Sequence, residues 1–275
     1  MTTKVWLNGQ VLDESAARIS PFDHGITVGD GVFETLKLVG TTPFAMRRHL
    51  LRLERSATAL GIECPPAPVI HEAAAAVIDA NGMNGGRLRI TLTGGPGPLG
   101  SNRGAEGTTL LLAVADTASY PPSTDVCTVE WPRNERGALT GLKTTSYAEN
   151  VMALARATAL GASEAIFANT VGNLCEGTGS NIFVAVGGRL ITPPLAAGPL
   201  AGITRELVLE ITEAIEEDLP MHALHEVDEA FLTSSTRDVQ AIRAIDGIEL
   251  RSTPGPFTQT AAQAFAALTA ADLDP

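Results

Sequence analysis

The chain has 275 residues, 31 acidic and 19 basic side chains, a formal net charge of −12 and a pI near 4.8, so its field repels nucleic acid phosphates and anionic lipid surfaces. A hydrophobic fraction of 44% fills real cores and argues against disorder. No run approaches the roughly 18 apolar residues of a membrane span, and MTTKVWLNG enters a strand pattern without a signal peptide. The length fits one large domain or two smaller α/β domains. Cys64, Cys127 and Cys175 are odd in number and unpatterned, which reads as buried fillers in a reducing compartment and places the protein in the cytoplasm.

In chain order, KVWLNGQVL reads as two β segments around the turn dipeptide Asn8-Gly9. After DHGITVGDG, the stretch VFETLKLVG alternates as a strand. MRRHLLRLERS carries Arg47, Arg48, Arg52 and Arg55, but Leu50, Leu53, Ala57 and Leu60 recur at helical spacing up to Gly61, so this basic patch predicts an amphipathic helix. A helix in APVIHEAAAAVIDANG and strands RLRITLTG and TTLLLAVAD complete an α+β unit over residues 1–115. DTASYPPSTD marks a linker over 116–126. A second unit, 127–275, holds strand VCTVEW, helix AENVMALARATALG, strands EAIFAN, NIFVAVGG and RLITPP, helix TRELVLEITEAIEEDL, strand EAFLTSS and the hairpin-like VQAIRAIDGIEL. Two mixed domains with a ligand cleft between them is the expected architecture.

Only three lysines occur, Lys4, Lys37 and Lys143, and the third lies in GLKTTSYAENV, ahead of Glu176 in LCEGTGSN. A lysine amine can hold an aldehyde cofactor as a Schiff base, and a carboxylate aimed at a pyridine nitrogen keeps that ring protonated and electron-withdrawing. Taken alone, both residues read as exposed charges. A phosphate calls for backbone amides at a helix start and small hydroxyls. LAGITRELVLEI offers Gly202, Ile203 and Thr204 ahead of the stripe Ile203, Leu207, Ile211 and Ile215, and LTSSTRD offers hydroxyls from Thr233 to Thr236. The plain alternatives are an N-cap threonine and a turn. Gly95, Gly97 and Gly100 match G-x-G-x-x-G in form, but prolines intervene and no helix follows, which rejects a dinucleotide fingerprint. His222, His225 and Glu226 lack the spacing of a metal-binding helix, and no metal site is expected.

GDGVFETLKL, HLLRLERSATALGI, GLKTTSYAENV, LCEGTGSNIF, LAGITRE and FLTSSTRD, in this order, closely resemble the class IV aminotransferase family of pyridoxal phosphate enzymes, over nearly the whole chain. That family includes D-amino acid and branched-chain aminotransferases, (R)-amine transaminases and 4-amino-4-deoxychorismate lyase. The resemblance implies the fold-type-IV class, α/β (α+β), with a small N-terminal α+β domain, a larger C-terminal mixed α/β domain and the active site in the cleft. It also implies a homodimer whose partner chain helps close the site. Carried over by motif, Lys143 would form the internal aldimine and shuttle the proton. Glu176 would pair with the pyridinium nitrogen, and Tyr147 would sit near the phenolic oxygen. Arg52 would bind the phosphate with the Ile203 and Thr204 amides, Ser235 and Thr236.

D-amino acid aminotransferases of the well-studied bacterial type trap the substrate carboxylate with an Arg-x-His pair where this chain reads Leu99-Gly100-Ser101. Arg103, Arg133 or Arg136 would have to serve instead, and each also reads as a surface arginine. Phe33 stands where those enzymes carry tyrosine, and Thr35 where bacterial deoxychorismate lyases carry threonine. The expected reaction is amino transfer from a D-amino acid or similar small amine to a 2-keto acid, through a quinonoid. The alternative is the lyase, releasing pyruvate and 4-aminobenzoate; a non-catalytic cofactor-binding protein is more remote, since storage needs neither Lys143 nor Glu176. Expected partners are these small molecules and a second copy, with neither nucleic acid nor membrane.

Overall fold

Asn8 and Gly9 adopt φ of 45° and 95° and close the first hairpin, as the dipeptide requires of a type I′ turn. It joins β1 (Lys4–Leu7) to β2 (Gln10–Asp13) in register Leu7 with Gln10. The computed structural model describes residues 2–117 and 119–275; Met1, and Ala118 of the expected linker, lie outside them. The chain divides into one unit of Met1–Ala118, Leu142–Tyr147 and Leu273–Pro275 and another of Ser119–Gly141 and Ala148–Asp272. This differs from the sequence expectation in two ways. The linker is shorter, because Ser123–Thr128 already forms a strand, and the lysine segment groups with the first unit because it bonds to that unit's backbone.

The first unit continues with the short helix α1 (His24–Thr27), β3 (Gly31–Val39), β4 (Thr42–Pro43), α2 (Met46–Leu60), α3 (Ala67–Ala80), β5 (Gly86–Thr93) and β6 (Thr109–Ala115). Its six-stranded sheet runs β2-β1-β6-β5-β3-β4, all neighbours antiparallel. Strand parity sorts its two faces. Val32, Leu36 and Leu38 of β3 join Leu88, Ile90, Leu92, Leu112 and Val114 under α2 and α3, whose Leu53, Ala57, Ile70 and Val77 complete the core. The other parity carries Phe33, Thr35 and Lys37, paired with Thr91, Arg89 and Arg87 of β5. Ala45 at the start of α2 has φ 54° and offers no side-chain cap. The cap comes from the C-terminal segment: Ala45 N–H donates to Leu273 O at 2.7 Å and Arg47 N–H to Asp274 Oδ1 at 2.9 Å.

One charged residue lies on the core face. Glu34 has no exposed surface, and it accepts from Arg52 Nε and Nη2, both at 2.7 Å, and from His49 Nδ1 at 2.6 Å. Burial alone would raise the Glu34 carboxyl, but the Arg52 charge, then His49 and their hydrogen bonds, hold it well below the usual carboxylate range. Burial pushes His49 down from its ordinary 6.5, against the pull of Glu34. A neutral His49 must donate from Nδ1, because a carboxylate only accepts.

The second unit holds β7 (Ser123–Thr128), α4 (Ala148–Ala159), β8 (Glu164–Ala168), β9 (Leu174–Gly177), β10 (Asn181–Val186), β11 (Arg189–Thr192), α5 (Ile203–Ile211), β12 (Ile215–Glu216), β13 (Glu229–Ser234), β14 (Asp238–Ile245), β15 (Ile248–Glu249) and α6 (Pro256–Ala271). Its sheet runs β12-β11-β10-β13-β14-β7-β8-β9, with β15 on β14. Ile166, Ile182, Val184, Leu232 and Ile242 pack one core, while Ala153 and Ala157 of α4 lie on Cys127, Ala165 and Phe167. The helix expected from Thr204 through Leu219 ends at Ile211. Thr212 turns extended and its hydroxyl bonds back to Val208 O at 2.6 Å, so Ile215 leaves the predicted stripe for β12. Glu176 lies in β9, and α6 was not predicted at all.

Glu34 sets an acid limit on stability. Its folded pKa lies below the ordinary 4.5, so its contribution is present above that value and is lost progressively as pH falls below it. His49, depressed by burial, adds a loss in the same direction as pH falls below 6.5, where the unfolded chain takes the proton first. Chemical denaturation followed by circular dichroism should show stability declining below about pH 6.5 and more steeply below about pH 4.5. Glu34→Gln should remove the lower limb and cost about 3–5 kcal/mol at pH 7 by taking away the buried partner of Arg52. An unchanged denaturation midpoint would show that the cluster contributes nothing.

Candidate functional site

Lys143 is placed by backbone. Phe33 N–H donates to Lys143 O at 3.0 Å and Thr145 N–H to Gly31 O at 2.8 Å, so residues 143–145 pair antiparallel with the start of β3 around the Val32–Thr144 bridge. Ser56 Oγ, on the inner face of α2, lies 3.3 Å from Lys143 N and accepts its proton. The glycines of VGDG permit this approach. A Cβ on Gly31 would sit 2.9 Å from Leu92 O and 3.0 Å from Thr145 Oγ1, and one on Gly29, at φ 69°, would meet Ser146 Oγ at 2.8 Å.

The lysine side chain then lies on the sheet face opposite the core. Lys143 Nζ is 4.4 Å from the centroid of the Phe33 ring and 5.8 Å from that of Tyr147. The two rings meet edge to face with centroids 5.1 Å apart. Arg89 brings its guanidinium carbon to 3.7 Å from the Phe33 centroid. Thr35 is the register partner of Arg89 and shares this face. Burial lowers the Arg89 pKa from its ordinary value, partly offset by Tyr147, while the group keeps its charge. Among the described residues Arg89 makes no ion pair; its Nε contacts Thr91 Oγ1 at 3.3 Å. Arg89 escaped the sequence reading. The signal was there: in the alternation RLRITLT it falls on the parity of Phe33 and Thr35.

Arg52, expected at the phosphate, is the arginine of the helix that points inward, and in the first unit its fork grips Glu34.

In the second unit, Glu176 is paired in register with Phe167 on the edge strand β9, its side chain 14% exposed. Its Oε2 accepts from Leu200 N–H at 2.9 Å, and Oε1 lies 3.3 Å from Arg133 Nε. The turn that follows rests on the buried Glu164, which accepts from Thr178 N at 2.9 Å and Ser180 Oγ at 2.9 Å. α5 opens at Gly202, Ile203 and Thr204 with no side-chain cap, and packs against β13, which leads into the hydroxyl turn. There Thr233 Oγ1 is buried without a hydrogen-bond partner among the described residues, and Thr236 Oγ1 lies 3.5 Å from the Tyr120 hydroxyl. Ser235 lies in the same turn, directly after β13.

The three arginines expected to compete for a substrate carboxylate have other positions. Arg103 braces its loop, donating to Asp30 at 2.7 Å through both Nε and Nη2 and to Leu60 O and Gly61 O at 2.6 Å. Arg136 is 82% exposed beside Glu135. Arg133 is held by Glu149, Asn150 and Glu176. No cluster that could hold a metal exists among the described residues, and none of their helices is long and apolar enough to cross a membrane. Burial pushes the Cys64 thiol up to about 11 and raises Cys127 and Cys175, so none is poised as a thiolate nucleophile.

The family described as amino-transferase class IV matches residues 31–245. A D-alanine aminotransferase of Bacillus licheniformis is 30% identical over 279 residues, covering 94% of this chain and 96% of its own. An aminodeoxychorismate lyase of Bacillus subtilis is 30% identical over 267 residues, covering 92% and 90%. The crystal structure of a branched-chain aminotransferase from Thermoproteus uzoniensis has a TM-score of 0.91 at 30% identity, covering 98% of this chain and 95% of that one. The chain therefore belongs to the class IV aminotransferase family of pyridoxal phosphate enzymes.

Proposed function

We propose that the protein is a pyridoxal phosphate-dependent aminotransferase that moves an amino group from a carboxylate-bearing amino acid, a D-amino acid first among the candidates, to a 2-oxo acid. The observation that carries this reading is the pair of cations on one ring: the Lys143 amine and the Arg89 guanidinium both lie against Phe33. Bound pyridoxal phosphate supplies an aldehyde for amine exchange and a ring that withdraws electrons from the donor's α carbon.

The chain's own groups fit that cofactor. The uncapped amides of Ile203 and Thr204 suit a phosphate, as do the orphaned Thr233 hydroxyl and its neighbours Ser235 and Thr236. Glu176, ion-paired and fixed by the Leu200 amide, suits a protonated ring nitrogen. Lys143 is the amine that holds the aldehyde and moves the proton at the α carbon. Tyr147 lies against Phe33 beside that amine, where its hydroxyl suits the phenolic oxygen. Arg89, in no ion pair among the described residues, grips the donor's carboxylate through its planar fork. Likeness to the D-alanine aminotransferase supports the donor class.

A second reading, aminodeoxychorismate lyase, is favoured by one observation: Thr35 lies on the same sheet face as Phe33, against which the Lys143 amine lies.

Added without a keto acid, D-alanine or D-glutamate should bleach the visible band of the holoenzyme stoichiometrically, and an amine lacking a carboxylate should do so far less well. If no donor does so while aminodeoxychorismate is cleaved, the lyase reading replaces this one. Lys143→Ala should lose both the band and turnover; turnover at the wild-type rate would remove the lysine's role. Arg89→Met should raise KM for the amino acid roughly 10- to 100-fold, the range of a charged hydrogen-bonded contact, and leave a carboxylate-free amine unaffected. An unchanged KM would return the carboxylate to another group.

A further inference from the structure

Arg133 is held on every side. Its backbone N–H donates to Ala168 O at 2.8 Å, at the end of β8. Its guanidinium carbon lies 4.1 Å from the centroid of the Phe167 ring. Nη1 donates to Glu149 Oε2 at 2.8 Å and Asn150 Oδ1 at 3.1 Å, both in the first turn of α4. Nε is buried and has no aligned hydrogen bond among the described residues, yet it lies 3.3 Å from Glu176 Oε1, a charge contact across the register pair Phe167–Glu176. Asn150 also donates to Thr178 O, tying the same helical turn to the chain just past Glu176.

We propose that Arg133 is a positioning residue that sets where the proton lies between Glu176 and the cofactor's ring nitrogen. The inference rests on the reading above that Glu176 meets that nitrogen. A carboxylate and a pyridine nitrogen share one proton, and it stays on the ring only if the carboxyl's own proton affinity is low. Partial burial of Glu176 works against this by favouring the neutral acid, whereas a fixed opposite charge at contact distance works for it. Arginine suits the task because it stays charged at any relevant pH. Its stacking on Phe167 and its bonds to Glu149 and Asn150 keep that charge from following the carboxylate if it moves. A displacement of the Glu176 proton affinity by about one pKa unit, the low end for a close opposite charge, changes the partition of the proton roughly tenfold.

The test is the ring-nitrogen NMR shift of holoenzymes reconstituted with ring-15N pyridoxal phosphate. Wild type should show a protonated nitrogen and Glu176→Gln a neutral one. Arg133→Met, which keeps an apolar chain over Phe167, should move toward the Glu176→Gln value, with kcat lowered roughly tenfold and KM little changed. Arg133→Lys, which restores the charge without the fork, should return the shift close to wild type. If Glu176→Gln moves the signal and Arg133→Met does not, Arg133 is only a brace between β8 and α4, and the proposal falls while the role of Glu176 stands. If neither variant moves it, the reading of Glu176 itself fails. Should Arg133→Met not fold, Arg133→Lys still decides: a neutral ring nitrogen in that variant overturns the charge argument, and a protonated one supports it.

Discussion

A carboxylate with no exposed surface must be compensated where it lies, and Glu34 sits among Leu36, Leu88 and Leu53 on the core face of the first sheet. Its partners can only come from the element that covers that face, which is α2. Arg52 and His49 are three residues apart and so point the same way, and binding Glu34 fixes the rotation of the helix about its axis. Ser56, one turn beyond Arg52, is thereby turned inward as well, and its hydroxyl receives the Lys143 backbone N–H. The position of the lysine thus depends on a buried charge on another element. Replacing the cluster by apolar side chains would leave a core but remove what selects this rotation.

The strand β3 separates support from chemistry by parity. Val32, Glu34, Leu36 and Leu38 face the helices, while Phe33 and Thr35 face the lysine. A slip of one residue would put Glu34 on the open face and Phe33 in the core. The register is guarded at one end by Gly31, whose missing Cβ lets residues 143–145 pair with the strand start, so the same contact that fixes the register delivers Lys143.

Much of this was legible in the chain. Strand alternation, helical spacing and the turn at Asn8-Gly9 depend on neighbours in sequence, and the elements they predict are present. What escaped depends on distant partners. α2 is capped by Leu273 and Asp274. α6 begins where the buried Glu229 accepts from Phe257 N, Thr258 N and Thr258 Oγ1, so neither start carries the local signature by which a helix announces itself. The C-terminal half of the helix predicted from Thr204 failed for a local reason: an apolar stripe says where a helix could lie, and the Thr212 hydroxyl bonding back to Val208 helps decide where it stops.

The arginines show the same limit at the candidate site. From sequence, Arg103, Arg133 and Arg136 were interchangeable candidates for an anion. In the fold they are sorted by what already neutralises them: Asp30 takes Arg103, and Glu149 with Glu176 takes Arg133. Arg136 lies in solvent beside Glu135, where screening leaves it little to contribute. A protein with net charge −12 has carboxylates to spare, so an arginine that lies against the same ring as Lys143 and is in no ion pair among the described residues is conspicuous. Arg89 keeps its charge although burial opposes it, against an aromatic face that offers only a weak partner. Its guanidinium is exposed, so water solvates what no carboxylate pairs with, and an anion can take the place of that water. That argument, from what Arg89 lacks rather than from what it touches, is why the substrate carboxylate is assigned to it.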